Sequence, residues 1–155
     1  MLFQVLIGSM LMLLTTVIHA GGMSIGLRWL KMMYARRVKM DSFLRRSLVV
    51  GALVLIMFAA TIIEASVWAT TYSVLGVISE FEEALYFSTV TYTTLGYGDV
   101  VLDDQWRLLS SFEAANGIIM FGWTTAVIIV AIQSFSRTWK MIGAMEDESH
   151  GDRNQ

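Results

Sequence analysis

Three long stretches of the sequence are almost free of charge, and they fix the environment of the chain before any motif is read. Leu2 to Leu27 hold no charged side chain. Ser47 to Ala69 hold one acid, Glu64, and Trp106 to Phe135 hold one acid, Glu113, with Arg107 at their start. A helix of about 20 apolar residues crosses a hydrocarbon core of roughly 30 Å, so each stretch predicts a membrane span. Composition agrees: 55% of the 155 residues are hydrophobic and 15% charged, with a mean hydropathy of +0.60, far from a soluble domain. The fold class expected is an all-α membrane protein. The absence of cysteine excludes disulfides and thiolate metal sites. His19 and His150 stand too far apart for a built transition-metal site, no basic footprint for nucleic acid is present, and neither a cofactor nor catalytic chemistry is expected.

The connection between the second and third spans is neither a soluble domain nor a full crossing. Ser79 and Glu82 have the spacing of a capping box, and the residues after them predict a helix over 80–93. Such a helix reaches only about halfway through a bilayer. Gly96 and Gly98 follow at once and admit backbone angles closed to other residues. The chain must turn back as a re-entrant loop, and irregular backbone at membrane depth survives only when buried in protein or lining a wet cavity.

Charge orders the spans. Arg28, Lys31, Arg36, Arg37, Lys39, Arg45 and Arg46 all fall in 28–46, which the positive-inside rule makes cytoplasmic. The N-terminus is then extracellular or periplasmic, and the C-terminus, with Arg137 and Lys140, cytoplasmic. Glu80, Glu82, Glu83, Asp99, Asp103 and Asp104 gather on the outer side, where they raise the local cation concentration. A signal peptide over 1–20 is the rival for the first span; it lacks a basic n-region and its cleavage would place the basic loop outside. Trp68 and Trp106 are expected as outer interfacial anchors, Trp29 and Trp139 as inner ones, and Trp123 as a packing residue.

The run Thr91-Tyr92-Thr93-Thr94-Leu95-Gly96-Tyr97-Gly98-Asp99 resembles the pore signature of the tetrameric potassium-channel superfamily. The resemblance covers 47–136 as a pore module, with an outer helix 47–69, pore helix 80–93, filter 94–99 and inner helix 106–135. An extra N-terminal helix (1–27), the basic loop 28–46 and a short, irregular tail (137–155) lie outside it. It implies a homotetramer that conducts K+ passively, with K+ held by Thr94, Leu95, Gly96 and Tyr97, and Gly98 completing the filter, because rings of backbone carbonyls from four copies replace the ion's hydration shell. Thr93, Tyr86 and Asp99 are implied as filter support. Two tryptophans common in the family are replaced by Tyr86 and Phe87, and a glutamate behind the filter by Val90; a bond from the Tyr86 hydroxyl to Asp99 is the expected substitute. Alternatives are a nonselective cation channel on the same scaffold and a potassium-uptake transporter subunit, which usually repeats its pore loop within one chain.

Gly117 aligns with a gating hinge, with a close helix contact as the equal alternative. Ile118, Phe121, Thr125 and Ile129 would then line the cavity. Glu64 and Glu113 are expected to be structurally paired, Arg107 being one available partner, and His19 to be neutral or bonded to a neighbouring helix. Segment 28–46 could also bind anionic lipid heads. No span repeats arginine or lysine at every third position, so steep voltage gating is not expected.

Overall fold

The computed structural model describes residues 1–35 and 42–151, beyond Ser134 as backbone only. Four helices make up the described residues: α1 (Leu2–Ala35), α2 (Phe43–Val74), α3 (Phe81–Tyr92) and α4 (Arg107–Gly151). The three long ones contain windows apolar enough to cross a bilayer, within Leu2–Met33, Phe43–Val74 and Arg107–Ser134. The protein is thus a multi-pass membrane protein, all-helical among its described residues.

The helices run longer than the sequence suggested. α1 carries Arg28 and Lys31 in its last turns, and α2 begins before Arg45 and Arg46. Arg36, Arg37 and Lys39 of the basic connection lie outside the described residues. α4 continues past the third span, so the tail expected to be irregular is helical through Gly151; it lacks proline and is rich in helix formers such as Lys140, Met141, Ala144, Met145 and Glu146. Residues 152–155 of that tail again lie outside the described range.

α3 has 12 residues and is roughly 18 Å long at 1.5 Å per residue, a half-crossing. Its start differs from the capping-box expectation: Glu80 is the N-cap, without a side-chain cap. α3 lies against the C-terminal half of α2 and the N-terminal part of α4, and between them sits the main core, with Trp68, Tyr72, Ala84, Phe87, Tyr92 and Leu109. Trp68 is therefore no interfacial anchor. It is fully buried, because α3 and the turns around Ile78 and Leu102 cover this part of α2. Trp106 instead meets Phe3 edge-on, with ring centroids 6.4 Å apart.

α1 packs on both α2 and α4 through glycines. A Cβ added at Gly22 would lie 3.1 Å from Ala60 Cβ, at Gly26 3.1 Å from Leu53 Cδ2, and at Gly8 2.8 Å from the Phe112 ring. Without a hydrophobic driving force between helices in lipid, close backbone approach at small residues is what holds such contacts. The outward faces of α1 and α2, with Leu6, Met10, Leu13, Leu55 and Phe58 exposed, suit lipid.

Candidate ion-conducting site

The end of α3 leads directly into the glycine-bearing segment. Thr93 N–H donates to Thr89 O (3.1 Å), Thr94 N–H to Thr91 O (2.9 Å), and both Leu95 and Gly96 N–H groups donate to Val90 O (3.0 and 3.3 Å). The last turn of the helix thus hooks the start of the segment onto itself and uses carbonyls a free helix end would leave unpaired.

Through this hook and past it the backbone alternates. Thr94 (φ 60°), Gly96 (φ 57°) and Gly98 (φ 75°) all have positive φ, while Leu95 and Tyr97 between them do not. Alternation of this kind lets successive carbonyls leave the same side of a nearly extended chain, which a strand cannot do because its carbonyls point to opposite sides. Glycine supplies the conformation without steric cost at 96 and 98; Thr94 is β-branched and holds it under strain. The segment is uncovered by the rest of the chain, with Leu95 55% and Tyr97 67% exposed.

The support residues are distributed as follows. Tyr86 Oη donates to Asp99 Oδ2 at 2.6 Å, and this bond, together with backbone donors, holds the Asp99 carboxyl below the usual carboxylate range. The Val100 N–H donates to the other carboxyl oxygen at 3.1 Å. Tyr86, Val90, Asp99 and Arg107 are among the residues lining a cleft of about 190 Å³ behind the segment. The Thr93 hydroxyl turns back to Thr89 O (2.8 Å). Phe87 packs edge-on against Tyr72, 5.3 Å between centroids.

Two buried carboxylates tie this loop to the long helices. Glu113 on α4 accepts from Tyr72 Oη on α2 (2.8 Å) and from Ser88 Oγ on α3. Glu64 on α2 accepts from Tyr92 Oη on α3 (2.5 Å) and lies 2.9 Å from His19 Nδ1 on α1. Of these six side chains, Tyr72 and Tyr92 belong to the aromatic core, and Glu64, Glu113, His19 and Ser88 are fully buried beside it. Arg107 is not a partner of Glu113: it pairs at the surface with Asp104, 2.7 Å away, since six positions on a helix of 3.6 residues per turn put the two side chains on different faces. A third buried contact joins Asn116 Nδ2 to Thr15 Oγ1 at 2.7 Å.

Gly117 touches α3 directly. A Cβ there would lie 1.9 Å from the Tyr92 carbonyl oxygen, so the close-contact reading of this glycine has a specific cause and a bend at this point would have to break it. Ile118, Phe121, Thr125 and Ile129 stand exposed on α4; the Phe121 ring also meets Tyr92 edge-on at 6.2 Å. Trp123 is 40% exposed, with its ring 6.3 Å from that of His19. Glu64, Glu113 and His19 stand out in the sequence, whereas their partners do not. Polar residues interrupting apolar spans, Thr15 and Asn116 included, were the available signal.

The family model described as "Ion channel" matches residues 51–134, more than half of the 155-residue chain. The chain belongs to this ion channel family. Comparison with curated proteins and with solved structures gives no match. The match takes in the whole of α3, the alternating segment and the spanning part of α4, together with α2 from Gly51. In this ion channel, α1 lies outside the matched region and yet contributes His19 to the contacts behind α3 and the alternating segment.

Proposed function

We propose that four copies of the chain assemble around one axis into a K+-selective channel, with the carbonyls of Thr94, Leu95, Gly96 and Tyr97 as successive ion sites and Gly98 closing the filter at its outer end. The observation that carries this reading is the alternation of positive φ at Thr94, Gly96 and Gly98 on an uncovered segment beyond a half-length helix. Carbonyl rings need several copies, because one chain holds a single such segment. The C-terminal end of α3 carries partial negative charge and favours a cation beneath the filter. Ile118, Phe121, Thr125 and Ile129 line the cavity below, and Tyr86, Thr93 and Asp99 support the filter. The basic residues around 28–46 support a cytoplasmic connection with the pore loop entering from the outer side, and that charge suits a surface for anionic lipid heads.

Reconstitution into vesicles, with flux followed under K+ and under Na+ gradients, tests the proposal. Wild type passes K+ in preference to Na+, and Gly96→Ala, which puts a side chain where φ is 57°, loses selective flux. Equal flux of the two ions in wild type would turn the assignment to a nonselective cation channel on the same scaffold, and a monomeric purified protein would end it.

A further inference from the structure

Tyr92 is the last residue of α3 and stands two positions before Thr94, where the alternating backbone begins. It is fully buried and is fixed from two directions. Its carbonyl oxygen abuts Gly117 of α4, and its hydroxyl donates to Glu64 Oε2 of α2 at 2.5 Å. The other carboxylate oxygen of Glu64 lies 2.9 Å from His19 Nδ1, with both side chains wholly inaccessible. Thr124 Oγ1 of α4 lies 3.3 Å from His19 Nε2. One arrangement satisfies every group: Nδ1–H donates to Glu64, and Nε2 accepts from the Thr124 hydroxyl.

We propose that His19 of the first helix is a positioning residue for the filter, setting the end of the pore helix through Glu64 and Tyr92. The proposal rests on the filter reading above. A carboxylate in a membrane interior takes up whatever donors are offered, since an unpaired buried charge is far costlier than a paired one. Without His19, Glu64 has Tyr92 as its remaining side-chain partner in this cluster, and its carboxyl turns toward another donor or settles closer to Tyr92. Either change alters the bond to Tyr92, and the hook of α3 onto Thr94, Leu95 and Gly96 moves with it. α1 lies outside the residues matched to the family, yet through His19 it is a working part of the pore.

Three variants separate positioning from mere packing. Tyr92→Phe keeps the ring and removes only the hydroxyl. His19→Ala removes the donor to Glu64. His19→Asn sets an amide N–H near the position of Nδ1 and keeps that donor without the ring. Hydrogen exchange of peptides spanning 90–99 in the purified protein reads the geometry of the loop independently of what the pore conducts, and the K+ to Na+ permeability ratio of reconstituted protein reads its function. Tyr92→Phe and His19→Ala are expected to speed exchange in 90–99 several-fold and to lower the permeability ratio, with His19→Asn restoring both toward wild type. Unchanged exchange in 90–99 for Tyr92→Phe and His19→Ala overturns the proposal, as does a uniform loss of protection along the whole chain in both. A wild type that lacks K+ preference overturns the selectivity reading instead, leaving the exchange comparison to decide the role of His19.

Discussion

Gly117 on α4 and the carbonyl of Tyr92 on α3 meet so closely that a single added methyl carbon would fall 1.9 Å from the oxygen. Backbone stands on one side and helix on the other, so neither can give way as a flexible side chain would. Gly117→Ala should therefore cost at least the 1–3 kcal/mol usual for overpacking, about that range or more. Gly51, with nothing near its missing Cβ, is the control, and Gly51→Ala should be neutral or stabilising. Thermal unfolding of the two variants in detergent checks the contrast.

The bond from Tyr86 to Asp99 gives a pH dependence with a definite sign. Because the folded-state pKa of Asp99 is lowered, chiefly by Tyr86, the stabilisation is complete above the ordinary carboxylate pKa and is lost as pH falls through the depressed value. Tyr86→Phe removes the largest cause, so the loss should move up toward pH about 4, the unperturbed value. Flux measured while acidifying the side facing the pore loop should fall at higher pH in the variant than in wild type.

Glu113 offers a test of coupling. Tyr72→Phe deletes one of its two hydroxyl donors and should destabilise by about 1–3 kcal/mol, the penalty for leaving a buried acceptor short of a partner. In combination with Glu113→Gln the two changes should cost less than the sum of the singles, because they act on one network. A thermodynamic cycle of melting measurements would show whether they add.

The seating of α1 on α2 depends on Gly22, where a Cβ would come within 3.1 Å of Ala60. Gly22→Leu should separate the two helices and weaken the His19 to Glu64 contact with them. Faster exchange in the α1 peptides, against little change for Gly21→Ala, where space is open, is the expected result.

Much of this architecture could be read from local pattern. The spans follow from runs of apolar residues and the half-crossing from Gly96 and Gly98 a short distance beyond a helical stretch, because each is a property of neighbouring positions. Tyr86 and Asp99, 13 positions apart, were paired in advance only because a motif supplied the frame. The contacts of His19 with Glu64, 45 positions away, and of Asn116 with Thr15, 101 away, depend on how three helices are rotated about their axes. Sequence periodicity says little about that rotation when lipid and protein interior are equally apolar. Trp68 shows the same limit: a tryptophan near the end of a span suits an interface or a core equally, and only the return of α3 over α2 decides for the core.

Three crossings bring the chain into α1 from one face of the membrane and out of α4 at the opposite face. A linker from the end of α4 in one copy to the start of α1 in the next would therefore have to recross the membrane on an added transmembrane segment. Any design that ties subunits into a single polypeptide must supply that return passage.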